Sequence, residues 1–222
     1  MAEKENGLVI STNPQMRQCQ KPTGWLGRLT LRNMNSRHSK VTDWGLSQIS
    51  VNEHDTILDV GCGGGRTVSK LAALATQGKV YGVDHSTASI AVAGKVNQQW
   101  IEMGRVEIRE GSVSQLPFSA DMFDLVTAVE THFWWPDPPA DIREVFRVQK
   151  PGGTLVVIAE VYKGANTATA KLAEKYLPQT GMKLLTVAEH RDLLIQAGYR
   201  EVRDTVQPGR GWICVVGKKP AG

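Results

Sequence analysis

The sequence predicts a doubly wound α/β fold: a mostly parallel sheet, helices on both faces, and the last strand antiparallel. Two observations carry this. From about residue 55, short β-rich runs alternate with stretches of helical periodicity, and that alternation builds right-handed βαβ units with parallel strands. The chain then closes with two runs flanking a Pro208-Gly209-Arg210-Gly211 turn, the pattern of an antiparallel hairpin. A length of 222 residues suits one such domain with a short extension, divided here into a basic arm over 1–40 and a domain over 41–222.

The elements follow in order. Thr56–Val60 (TILDV) is a short apolar run with the look of a buried strand, and Gly65–Thr76 carries Val68, Leu71, Ala72 and Ala75 at helical spacing. Lys79–Val83 is a second strand. Ser86 is placed to cap a helix running to about Met103, with Ile90, Ala93, Val96 and Trp100 on one face. Arg105–Arg109 and Phe123–Val129 are the third and fourth strands, and a helix covers Asp141–Val148, Pro138 and Pro139 holding off helix until Ala140. Thr154–Glu160 is the fifth strand after a Pro-Gly-Gly turn, and Ala168–Tyr176 is helical. Thr186 and Glu189 have capping-box spacing for a helix ending at Gly198, and Glu201–Val206 and Trp212–Lys218 form the hairpin.

Composition excludes several classes. With 41% hydrophobic and 22% charged residues, the chain is neither collagen-like, coiled-coil nor wholly disordered. No apolar run reaches membrane-span length, and the first residues lack a secretory apolar core. Cys19, Cys62 and Cys214 are too scattered for a disulfide framework or a zinc site, so a cytoplasmic protein without metal is expected. Net charge is +4. Residues 1–40 hold seven Lys/Arg against Glu3 and Glu5, and the rest is nearly neutral, which argues against a nucleic-acid face across the domain.

Sheets of this kind bind ligands beyond the carboxyl ends of their strands. The first such loop is Asp59-Val60-Gly61-Cys62-Gly63-Gly64-Gly65-Arg66. Its glycines permit a sharp turn and close approach of a ligand. Counting from Gly61, the sixth position of a dinucleotide GxGxxG is Arg66, and no GxxxxGK[ST] is present, so neither nucleotide fingerprint is met. The second loop begins at Asp84, spaced to accept from both ribose hydroxyls or to cap the helix that Ser86 can also cap.

ILDVGCGGG, VYGVD, EGSVSQLPF, FDLVTAVETHFWWPD and VQKPGG, in that order, resemble the class I S-adenosylmethionine-dependent methyltransferases, in particular the small branch similar to ubiquinone/menaquinone-biosynthesis enzymes. The resemblance spans about 40–218. It implies a seven-stranded sheet with the last strand antiparallel, S-adenosyl-L-methionine as cofactor and S-adenosyl-L-homocysteine as product. Asp59, Gly61, Cys62 and Gly63 would line the methionine part, and Asp84 and His85 the ribose side. Gly111, Ser112 and Val113 would flank the adenine, with Ser112 standing where many relatives have Asp. Glu130, Thr131 and His132 follow the fourth strand, where relatives meet cofactor and substrate, and Lys150-Pro151-Gly152-Gly153 is a structural turn.

The implied reaction is in-line methyl transfer to a small-molecule or lipid-like acceptor, with gain from alignment. His132 is the foremost candidate base, with packing near the cofactor as its other reading. Glu130, Glu160, Tyr162 and His38 are further candidates. Trp25, Trp134, Trp135 and Tyr162 could wall an apolar or cationic acceptor. Two other readings stay open: a non-catalytic S-adenosylmethionine-binding sensor or subunit, and a nucleic-acid amino-methyltransferase. The latter rests on Asp137-Pro138-Pro139, which lacks the aromatic fourth residue because Ala140 stands there. The segment Gly24–Met34, with Arg28 and Arg32 four apart, reads as a lid, as an interfacial membrane contact, or as a solvated arm or oligomer contact.

Overall fold

The computed structural model describes residues 4–5, 8–9, 18, 20–24, 26–27, 30–31 and 38–222. Seven strands form one sheet: β1 Thr56–Val60, β2 Lys79–Asp84, β3 Val106–Glu110, β4 Phe123–Val129, β5 Gln149–Ala159, β6 Arg200–Gln207 and β7 Trp212–Lys218. Their spatial order is β3-β2-β1-β4-β5-β7-β6. β3, β2, β1, β4 and β5 are parallel, and β7 runs antiparallel to both β5 and β6. The helices are α1 Ser39–Leu46, α2 Arg66–Leu74, α3 Thr87–Val96, α4 Gln98–Glu102, α5 Pro138–Val148, α6 Ala168–Thr180 and α7 Val187–Gln196. Residues Lys4–Glu5 and Leu8–Val9 pair in a separate two-stranded ribbon. No helix among the described residues is long and apolar enough to cross a membrane.

Successive strand residues point to opposite faces, and the two faces carry two cores. Leu58, Val126, Leu155 and Val215 pack with Ile142 and Val145 of α5 and Leu194 of α7. Their neighbours Ile57, Leu125, Val156 and Val216 pack with Val41 of α1 and with Val68 and Leu71 of α2. Burial on both faces is why the strands read as continuous apolar runs rather than alternating ones.

Several boundaries differ from expectation. Pro138 and Pro139 start α5 rather than delay it, because Asp137 is the N-cap and accepts from the Ala140 amide at 3.2 Å. Proline at the first helical position gives up an N–H that lacks an intrahelical partner in any case. The helix after Ser86 breaks at Asn97, whose buried Nδ2 donates to the Gly65 and Ala93 carbonyls at 2.9 Å each. β5 begins before the Pro-Gly-Gly turn, which becomes a bulge in its pairing with β4. Ser86 caps α3, accepting from Ser89, and the Thr186–Glu189 capping box is formed.

Candidate functional site

The parallel strands β1, β2, β4 and β5 deliver the chemistry-bearing loops to one edge. In the loop after β1, Gly61, Gly63 and Gly65 all have positive φ, at 72°, 50° and 77°. The amides of Gly61 and Cys62 donate to the Val83 carbonyl at 2.8 and 3.0 Å. The Asp84 carboxylate completes the clamp: Oδ2 accepts from the Gly63 amide and Oδ1 from the Ser86 amide, both at 2.9 Å. The two acidic-and-glycine loops are therefore one hydrogen-bonded unit. A Cβ at Gly61 would collide with Thr131, and one at Gly65 would meet Ala93 at 2.8 Å. At Gly63 it would enter space whose nearest atom is Leu31 Cδ2 at 3.8 Å.

Burial sets the electrostatics here. Asp59 is 2% exposed and accepts from Thr127 Oγ1 at 2.7 Å. Loss of water pushes its carboxyl up to about 7, against the Thr127 hydrogen bond and with help from the Asp84 charge. Burial likewise raises the Cys62 thiol, and the Asp84 and Asp59 charges add to it. A buried, electron-rich pair of carboxylates favours a cationic group beside it.

Two adjoining cavities flank Asp84. The first, about 110 Å³, is lined by Asp59, Gly61, Gly63, Asp84, His38 and Glu130 among others. The second, about 50 Å³, is lined by His85, Gly111, Ser112, Val113, Trp134 and Trp135 among others. Residues of the N-terminal segment sit over the first. Gln20, Pro22 and Leu31 are walls of the first cavity, Leu31 is 1% exposed, and the Pro22 carbonyl accepts from Ser86 Oγ at 2.7 Å. A larger hollow, about 770 Å³, lies at the opposite end of the strands beside Asp55, Asp124 and Gly153. It is away from the carboxyl edge where open α/β sheets bind ligands.

The segment after β4 divides between cleft and core. Glu130 has φ 56°, and its Oε1 accepts the Glu160 amide hydrogen. Glu130, Thr131 and Trp134 face the first cavity. His132 instead turns into the core: it is 4% exposed, and its Nε2 lies 2.8 Å from His190 Nε2 on α7. Burial holds its imidazole well below the usual histidine range, and His190 pushes it the same way. Neither cavity counts His132 or Tyr162 among its walls; Tyr162 packs against the core. Trp135, a candidate acceptor wall, is buried at 4% exposure but still borders the second cavity. Trp25, Arg28 and Arg32 lie outside the described residues.

His38, one of the further candidates, lines the first cavity, with Nε2 3.7 Å from Glu160 Oε1. The place of Glu160, also named from the sequence, was legible, since it follows the fifth strand at the carboxyl edge. The position of His38 was not, because it depends on how α1 docks.

A parallel sheet with a glycine clamp and a terminal carboxylate at its carboxyl edge is the arrangement of the doubly wound class, whose ligands bind at that edge. Residues 58–157 match the family described as a methyltransferase domain. Over that stretch, which is under half of the chain, it is similar to methyltransferases. It is 32% identical over 123 residues to a demethylmenaquinone methyltransferase of Oceanobacillus iheyensis, covering 55% of this chain and 51% of that protein. It is 30% identical over 162 residues to methyltransferase GfsG of Streptomyces halstedii, covering 72% and 58%. The chain thus spans about half to three-fifths of the length of these relatives. Among solved structures, a S-adenosylmethionine-dependent methyltransferase of Aquifex aeolicus superposes with TM-score 0.70 at 20% identity, covering 86% and 97%. The [4+2]-cyclase SpnF superposes equally well, at 0.70 and 20%, covering 82% and 81%. At such identities the likeness is one of fold.

Proposed function

We propose that this protein transfers a methyl group from S-adenosyl-L-methionine to a small-molecule acceptor. The observation that carries the reading is the Asp84 clamp: a carboxylate at the end of β2 that fixes Gly63 and borders both cavities. The residues fit the cofactor. Gly63 leaves a cradle that a side chain would fill. Asp59 and Asp84 form the acidic surroundings that suit an ammonium group and a ribose diol, and Gly111, Ser112 and Val113 border the cavity on the adenine side.

When bound, the cofactor supplies a methyl group on a good leaving group. The chain's own work is then binding, alignment and exclusion of water, and alignment can supply up to about 7–11 kcal/mol. With His132 in the core, the reading does without that side chain as base. Trp134 and Trp135 favour a flat or apolar acceptor, and the resemblance to a demethylmenaquinone methyltransferase supports a quinone-like one. Gln20, Pro22 and Leu31 act as part of a lid over the cofactor, supported by the Pro22–Ser86 hydrogen bond and the burial of Leu31.

The test is thermal denaturation with candidate ligands. S-adenosylmethionine and S-adenosylhomocysteine raise the melting temperature, while NAD and ATP at equal concentration do not. Stabilisation by NAD instead would refute the assignment.

A further inference from the structure

Glu130 follows β4 and Glu160 follows β5, and these strands are adjacent and parallel, with Val129 opposite Ile158. Their carboxyl ends therefore bring both carboxylates to the same edge. His38 joins them from the N-cap of α1, a helix held against β5, where Gly45 packs on the Ile158 side chain. One ligand atom of each of the three residues lies within 4.8 Å of the others, and all three are half-buried. His38 Nε2 and Glu160 Oε1 are 3.7 Å apart. The Glu130 carboxylate is oriented by the Glu160 amide; a carboxylate offers two oxygens and about four lone-pair positions, so this bond is compatible with ligation.

We propose that His38, Glu130 and Glu160 form a binding site for one divalent transition-metal ion of the zinc, manganese or iron type. One imidazole nitrogen with two carboxylate oxygens is the mixed donor set these ions accept, whereas magnesium and calcium prefer oxygen alone. Donors around an ion with bonds of about 2.0–2.2 Å stand roughly 3.0–3.4 Å apart. Occupancy then requires the two glutamate side chains to rotate so that the present spacing closes to that value. Three protein ligands leave positions open, and His38 and Glu130 are walls of the first cavity. The open side thus faces the first cavity. Granted the methyl-transfer reading, the acceptor class is one bearing a hydroxyl or carbonyl oxygen; the metal site itself does not depend on that reading.

The experiment uses the full chain stripped with chelator. Zn²⁺ and Mn²⁺ are titrated by calorimetry, and Co²⁺ by its visible absorption. Wild-type protein takes up one equivalent, and His38→Ala and Glu160→Gln each weaken uptake at least tenfold. His54→Ala, an exposed histidine beside Glu53, leaves uptake unchanged. Circular dichroism selects the folded variants, and either of the two suffices. Absence of uptake by the wild type, or full affinity in a folded His38→Ala or Glu160→Gln protein, overturns the proposal. S-adenosylhomocysteine is titrated in parallel. Metal uptake without S-adenosylhomocysteine binding upholds the metal site and removes the methyl-transfer reading; the converse does the reverse.

Discussion

Asp84→Ala tests the clamp independently of any ligand. The carboxylate holds two backbone amides, Gly63 and Ser86, each at 2.9 Å, and the residue is 8% exposed. Hydrogen bonds to a charged group contribute about 1.5–3 kcal/mol each, and a buried donor left without a partner costs about 1–3 kcal/mol. Two effects offset part of this. Removing the Asp84 charge relieves Asp59, whose carboxyl it helps to raise, and the neighbouring cavity can admit water to one amide. A net loss of about 2–4 kcal/mol in the ligand-free protein follows, or a melting-temperature drop of roughly 5–15 °C for a domain of this size. Asp84→Asn keeps one acceptor and falls between the two. Urea unfolding of the ligand-free proteins measures the difference. In the same variants Asp59 titrates below its wild-type value of about 7, since a like charge has gone. An Asp84→Ala protein within about 0.5 kcal/mol of wild type would show that the glycine loop holds its shape without the clamp. Helix capping does not explain a loss, because Ser86 caps α3 with its own hydroxyl.

His132 and His190 are both held below the ordinary histidine range by burial. Their neutrality contributes stability that is fully present above about pH 6.5 and is lost as pH falls below it, with a limiting slope of about 1.4 kcal/mol per pH unit for each ring. Asp59 acts in the opposite sense: raised to about 7, it takes up its proton first in the folded state and favours folding as pH drops from 7 toward 4. Imidazole NMR separates the two, and a His132 midpoint at or above 6.5 would contradict its core position. Thr127→Val removes the hydroxyl that donates to Asp59, so the Asp59 carboxyl rises further and affinity for S-adenosylmethionine at pH 7 falls about three- to tenfold, recovering near pH 8.5 by calorimetry; equal affinity at both pH values in the variant would count against this. Removal of residues 1–36 takes away Pro22 and Leu31, opens the first cavity and speeds S-adenosylhomocysteine dissociation severalfold while the domain stays folded; an unchanged rate in stopped flow would show that the segment is no lid.

Much of the fold is written in short windows of the chain. The apolar runs TILDV and FDLVTAV, the helical spacing of Val68 and Leu71, the Ser86 and Thr186 caps and the Pro208–Gly211 turn each depend on neighbours a few residues away, so they are legible locally. The glycine loop and Asp84 are legible for a related reason: a carboxyl-terminal strand edge accepts few residue types, and the order of strands and loops puts them at one cleft. Direction and partnership are different. Whether His132 faces acceptor or His190 turns on a single 3₁₀ turn, His132–Trp134, that sends Trp134 to the cleft and His132 to the core. That Asp84 grips Gly63, that Thr127 grips Asp59, and that His38 reaches Glu160 are contacts between segments brought together only by the sheet order β2-β1-β4-β5 and the docking of α1. Chain periodicity encodes which face of an element is apolar. It does not encode which distant side chain that face will meet, because that depends on how whole elements pack once their apolar faces are buried.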